Sequence, residues 1–302
     1  MTVPGADLPE AAQRRLASPV FSSGLSVSDF AACLDMGMTP VGFVQGFCAM
    51  QWGWYGAGST TMGGSTLFRP GTGGAYVDQF TCPHGFIGGG EHRAWGQNYE
   101  QPWVEQAWAQ GFGAAYLRMM EEARTIGAHG VIGVVDEVRS LTDAAVTEFH
   151  LYGTAVVVPD APGPHGGHPW STYLAGQRLA KLFEAGMMPV AVCAALASVR
   201  VWAYCITEFL MENRGMGWMG STVRAPEIEQ MSRAHMAARS LVRGRVRSQL
   251  QGDALHGALL AFHSREVGPG DAVVECRLTG TRVRRFKDFD PLPPPMATVR
   301  LS

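Results

Sequence analysis

One stretch of this chain is written twice. His129-Gly130 reappears as His256-Gly257, and Glu148-Phe149-His150-Leu151-Tyr152-Gly153-Thr154 reappears as Glu275-Cys276-Arg277-Leu278-Thr279-Gly280-Thr281, always 127 positions later. Upstream, Asp35-Met36-Gly37-Met38-Thr39-Pro40-Val41 matches Glu184-Ala185-Gly186-Met187-Met188-Pro189-Val190 at an offset of 149. The change from 149 to 127 places 22 extra residues inside the first copy. A repeat of this length exceeds the roughly 20–50 residues of solenoid units and reads as a duplicated domain. Features present twice are scaffold; features present once are additions to it.

Each copy carries the same order of signals. Ser26 and Ser28 precede the apolar spacing of Phe30, Ala31, Cys33 and Leu34, which predicts a short serine-capped helix; Leu179, Leu182 and Phe183 predict its counterpart. Gly37 and Gly186 end these helices, and Pro40 and Pro189 open long apolar strands, Val41–Trp54 and Val190–Met211. Helical spacing follows over Trp103–Ile126 and from Pro226 to about Leu250. A hairpin closes each copy: strands over Gly130–Val138 and Ala145–Val158 flank Thr142-Asp143, and strands over Gly257–Val267 and Ala272–Arg284 flank Gly268-Pro269-Gly270-Asp271. The expected class is α+β, a tandem strand-helix-strand-strand unit with a short leading helix. The expected division is a loosely ordered arm (1–19), a first domain (20–158) with a Gly-rich insert at about 55–100, a linker (159–169), a second domain (170–286) and a Pro-rich tail (287–302).

Composition narrows the function classes. Of 302 residues 46% are hydrophobic and 17% charged, with net charge −2, which fits a globular chain and not a broad nucleic-acid surface. Basic residues cluster over Arg233–Arg247, offset by acids elsewhere. Cys33, Cys48, Cys82, Cys193, Cys205 and Cys276 form no CxxC pair, and the start has no basic-then-apolar leader; both favour a reducing, cytoplasmic setting. The apolar run at Met187 meets Arg200 before reaching the roughly 20 residues that span a bilayer, so it reads as a buried strand.

Candidate chemistry is sparse. Cys82, His84 and His92 lie among glycines of the insert and are donors suited to zinc or copper, although a structural site normally shows four ligands. A solvated loop is the competing reading. His165 and His168 fall in the linker. Strand alternation puts Val146, Glu148, His150 and Tyr152 on one face and Thr147, Phe149, Leu151 and Gly153 on the other. Gly153-Thr154 and Gly280-Thr281 read as architectural, marking close backbone approach to a neighbouring subunit. Trp52, Trp54, Tyr55, Trp95, Tyr99, Trp103 and Trp108 bracket the insert and either line an interface or pack the loop. No GxSxG, Walker, GxGxxG, HExxH or Cys-His arrangement is present, so no enzyme activity is expected.

The run from Glu121-Glu122 through Gly127-Ala128-His129-Gly130 to Val134, with the closing Gly153-Thr154-Ala155-Val156, resembles the YbjQ-type family, which carries a heavy-metal-binding label. The second copy resembles it less: Leu255-His256-Gly257-Ala258 lacks the inner glycine and Gly280-Thr281-Arg282-Val283 lacks the alanine. The resemblance implies a dodecin-like unit of the kind that builds closed pentameric rings. It implies a homo-oligomer of five chains or a multiple; the absent catalytic motifs and near-neutral charge add the expectation of no enzyme activity and no nucleic-acid partner. In such a ring the repeated His129, His256, Glu148 and Glu275 could hold cations, or serve as exposed strand residues and salt-bridge partners. Because the insert occurs once, it is expected to be dispensable for folding.

Overall fold

The computed structural model describes residues 9–16, 21–51, 97–141, 146–159, 168–202, 228–268 and 271–287. In chain order the elements are α1 (Glu10–Leu16), α2 (Val27–Asp35), β1 (Thr39–Gln51), β2 (Gln97–Glu100), α3 (Pro102–Thr125), β3 (Gly130–Leu141) and β4 (Val146–Val157). Then follow β5 (Trp170–Ser171), α4 (Gly176–Glu184), β6 (Met187–Trp202), α5 (Glu229–Leu250), β7 (Ala254–Gly268) and β8 (Asp271–Arg285). The class is α+β, with two sheets ordered β1-β4-β3-β5 and β2-β6-β8-β7. Within each, the first strand, the helix and the closing hairpin come from one repeat.

The repeats agree down to their irregularities. Both first strands shift register beside their proline, between Pro40 and Gly42 and between Pro189 and Ala191. Both third strands shift between Ile132 and Val135 and between His256 and Leu259, around the left-handed glycines Gly133 and Gly257. Arg118 of α3 donates to the Phe47 carbonyl, and Arg245 of α5 donates to the Leu196 carbonyl, at the same offsets of 127 and 149.

One sequence match does not survive. Ile132 faces Thr154, and His256 faces Thr281, so β3 and β7 correspond at an offset of 124. His256 therefore stands where Ile132 stands, and His129 corresponds to Asp253. The turn from helix to third strand is three residues shorter in the second unit, and that shortening decides the register over a two-residue match.

Two segments hold elements that the sequence reading did not give them. The N-terminal arm contains α1. The last residues assigned to the insert, Gln97–Glu100, are β2, which pairs with β6 of the other unit through Gln97–Trp202, Asn98–Val201, Tyr99–Arg200 and Glu100–Val199. That strand is sheet, so the insert is not wholly a decoration. Residues 52–96, with Trp52, Trp54, Tyr55, Trp95, Cys82, His84 and His92, lie outside the described residues.

Four layers result: first sheet, α3, second sheet, α5. Period two turns Val44, Gly46 and Cys48 of β1 and Phe149 and Leu151 of β4 onto α3. A Cβ at Gly46 would lie 1.9 Å from the Ala115 carbonyl oxygen, so strand and helix meet backbone to backbone there. The opposite side of α3 is closed by Val192, Ala194 and Leu196 of β6. The alternate β6 residues, Cys193 to Val201, bury against Ala234, Ala238, Val242 and Val246 of α5. Cover on both faces explains why β6 reads as an unbroken apolar run. A third cluster joins α2 to α4 through Cys33, Leu179 and Leu182. Among the described residues no helix is long and apolar enough to cross a membrane.

Candidate assembly interface

The residues that do most beyond the two cores sit where the units meet. Helix α3 begins at the second sheet. Gln101 donates its amide to the Ser198 carbonyl at 2.8 Å, and Glu105 accepts the Ser198 amide at 2.9 Å. Ser198 Oγ donates to Gln101 Oε1 at 3.0 Å. Arg245 of α5 ion-pairs with both Glu105 and Glu100. Glu105 is buried, and desolvation pushes its carboxyl above the usual range against the opposing pull of the Ser198 amide and Arg245. This network closes the β6 edge that β2 begins to cover.

The other edge contact comes from the chain entering the second unit. Trp170 donates its amide to the His129 carbonyl, and Thr172 donates to the Val131 carbonyl. Gly133 and Val134 donate back to the Leu174 and Thr172 carbonyls, at 2.9 and 3.0 Å. The Trp170 ring fills the space over Gly130, where a Cβ would come within 2.2 Å of it. Ser171 Oγ accepts the Val192 amide at 3.0 Å and meets Tyr116 Oη at 2.9 Å. Tyr173 donates to Asp136 of β3 at 3.1 Å, and Arg277 of β8 reaches the same carboxylate at 3.0 Å. Burial raises the Asp136 carboxyl, opposed by Arg277 and Tyr173, and burial with the adjacent carboxylate raises the Tyr173 hydroxyl.

The threonines singled out in the sequence hold the entering segments. Thr281 Oγ1 meets Thr172 Oγ1 at 3.1 Å and accepts the Tyr173 amide at 3.2 Å. Thr154 Oγ1 meets Ser23 Oγ at 3.3 Å and accepts the Gly24 amide at 3.1 Å. The neighbouring glycines do something different from what the sequence implied. A Cβ at Gly153 would lie 2.7 Å from Val131, and one at Gly280 would lie 2.8 Å from Leu255, both on the adjacent strand of the same sheet. Within the chain, their close approach is to the neighbouring strand of the same sheet.

The repeated histidines and glutamates are not brought together. His129 Nδ1 accepts the Val158 amide at 2.8 Å, while His256 is exposed. Glu148 stands between Ala49 and Arg139, and Glu275 between Ser198 and His263. The pairings correspond in the repeat, so this glutamate position is a true repeat, on the outward face of the first sheet and on the α3 side of the second. Among the described residues of one chain no three His, Cys, Asp or Glu side chains form an ion-holding group.

Asp136, Glu105, Tyr173 and Arg277 were not visible as functional in the sequence. A signal for the entering segments existed: Phe21-Ser22-Ser23-Gly24-Leu25 and Trp170-Ser171-Thr172-Tyr173-Leu174 share the offset of 149, with an aromatic, two hydroxyls and a leucine in register.

Comparison with known proteins gives two matches. Residues 88–159 match the family model YbjQ_1, described as "Putative heavy-metal-binding". The Mycobacterium tuberculosis (strain ATCC 25618 / H37Rv) protein named Encapsulin nanocompartment protein Rv1762c is 28% identical over 185 residues, which cover 60% of this chain and 67% of the relative. No solved structure matches the chain.

Proposed function

We propose that this protein is a non-enzymatic, self-assembling protein built from two fused YbjQ-type domains that close into a homo-oligomeric ring of five chains. The observation that carries the reading is the junction between the units. The second unit adds a strand to the edge of the first sheet, and the first unit adds a strand to the edge of the second. A unit that completes its neighbour's sheet is built for repetition, and closed repetition removes open sheet edges. The matched YbjQ_1 segment and the encapsulin-named relative support self-assembly over catalysis. A reducing compartment belongs to the proposal, since Cys33, Cys48, Cys193 and Cys276 are buried free thiols.

The family description favours a second reading, binding of a heavy metal. The matched residues include His92 but not Cys82 or His84; the insert set Cys82, His84 and His92 offers the donors suited to zinc or copper. Native mass spectrometry of tag-free protein tests both. The ring gives one species near 160 kDa, about five times the 32.5 kDa chain, with no stoichiometric metal. A metal-loaded single chain favours the second reading.

A further inference from the structure

The junction inside one chain is half of a pair, and the other half lies bare. Residues Phe21–Leu25 are built like residues 170–174. Leu25 donates its amide to Ser23 Oγ at 3.2 Å, as Leu174 does to Thr172 Oγ1 at 3.0 Å. Ser23 and Gly24 bond to Thr154 as Thr172 and Tyr173 bond to Thr281. The later segment also lies along β3, exchanging four backbone hydrogen bonds with His129, Val131, Gly133 and Val134. Among the described residues, the earlier segment packs through Leu25 but pairs with no strand.

The strand that would receive it is equally bare. By the offset of 124, Asp253, Leu255, Gly257 and Ala258 of β7 correspond to His129, Val131, Gly133 and Val134. A Cβ at Gly133 would lie 3.2 Å from Ala175 and 3.5 Å from Leu25, whereas a Cβ at Gly257 would meet nothing within 4 Å. Leu259 and Phe262 further along β7 are 64% and 43% exposed. The two segments do not meet within the chain, so the contact between units is not two-fold symmetric. It is heterologous: one end of a unit meets the other end of the next.

The broad faces tell the same story. Tyr116 and Met120 of α3 pack in the layer against the second sheet; their counterparts on α5, Arg243 and Arg247, are exposed beside Arg239. The surface equivalent to the one covering α3 is the outward face of the first sheet. There Phe43, His150 and Tyr152 stack in contact, and Tyr152 donates to Glu137 at 3.1 Å. Guanidinium groups facing aromatic rings and carboxylates are complementary.

We infer that a second copy of this chain docks on β7 and α5. Its Phe21–Leu25 segment adds as a parallel strand at Ala254–Ala258, and its first sheet covers the arginine face of α5. This rests on the self-assembly reading and names the surfaces that carry it. The occupant is a second copy because the chain already contains the same junction, with the same partner geometry, once.

Two variants test it. Phe21→Asp with Ser23→Pro disables the entering segment. Arg239→Glu with Arg243→Glu disables the receiving face. Each alone is expected to run as a single chain, and mixing them is expected to give a two-chain species and nothing larger, since one intact junction remains. As a check independent of folding losses, Ser22→Cys with Ala254→Cys, treated with a short bis-maleimide, is expected to give a covalent ladder of chain multiples that both single-cysteine variants lack. If wild-type protein is a single chain, the self-assembly reading falls and this inference with it. If wild type is an oligomer but both disabled variants keep its mass, or the ladder is absent, only the surfaces named here are wrong. Nucleic acid bound by wild type and lost in the arginine variant, with oligomer mass unchanged, also overturns it.

Discussion

Helices α3 and α5 occupy the same place in their units, yet among the described residues α3 is packed against two sheets and α5 against one. The difference is written in their residues. Tyr116 meets Ser171 across the junction, whereas its counterpart Arg243 is exposed. The third strands differ in the same way: Ile132 of β3 is fully buried and His256 at the same register of β7 is exposed. One scaffold thus has two surface chemistries, apolar where the other unit of the chain covers it and polar or basic on α5 and β7. The lesson is that the fold of one unit does not complete itself; its neighbour decides what its faces can carry.

Exchanging the two chemistries should break the comparison hardest. Tyr116→Arg places a charge between α3 and the second sheet and is expected to cost about 3–5 kcal/mol, the scale of an unpaired buried charge. The reverse change, Arg243→Tyr, is expected to alter the stability of the dissociated chain by no more than about 0.5 kcal/mol. Denaturant titration of both decides whether the asymmetry is real.

Gly46→Ala is expected next in size, about 3 kcal/mol, because the added methyl meets the Ala115 carbonyl and not a flexible side chain. The corresponding position of the second unit is already Ala195, and Ala195→Gly should cost only about 1 kcal/mol. Equal losses at the two sites, read from thermal midpoints, would show that the two helices sit at the same distance from their sheets.

The threonine pair gives a smaller contrast. Thr281→Val removes the anchor of the segment that joins the units, and about 1–3 kcal/mol is expected from its two lost partners. Thr154→Val removes the same two bonds from a segment that adds no strand to a sheet of the described chain, so its effect should be the lesser.

Acid behaviour sharpens the comparison further. Burial raises the Asp136 carboxyl above its unfolded value, so its contribution is fully present below about pH 3.9 and is lost as pH rises through the raised folded value. Asp253, held low chiefly by its hydrogen bond from Arg284 and also by Arg282, behaves oppositely. Its contribution is present above about pH 3.9 and is lost as pH falls through the lowered value. In urea titrations across pH, Asp136→Asn should remove a decline on the rising side. Asp253→Asn should remove a loss on the acid side. A variant whose profile parallels wild type would show that the carboxylate in question does not sense folding.

The repeat made most of the fold legible. Offsets of 149 and 127 located both first strands, both long helices and both hairpins, because those elements are long and strongly periodic. The parts that stayed hidden are short or depend on distant partners. β2 has four residues, and its identity as a strand comes from Tyr99 pairing with Arg200 of the other unit. β5 has two residues and is a strand only because Gly130 and Val131 lie beside it. The matched histidines misled, since the left-handed bulges at Gly133 and Gly257 fix the register and His129 and His256 do not. Gly153 and Gly280 meet the adjacent strand of their own sheet, while the adjoining Thr154 and Thr281 bind segments remote in sequence, which the local pattern did not reveal.

Backbone hydrogen exchange at four amides tests the account most directly. Gly133 and Val134 donate to Leu174 and Thr172, so they should exchange slowly at any protein concentration. If a second copy covers β7, the Gly257 and Ala258 amides should be comparably slow in the concentrated protein and become fast on dilution below the assembly threshold. Fast exchange at Gly257 and Ala258 at every concentration, with Gly133 and Val134 still protected, would contradict the account.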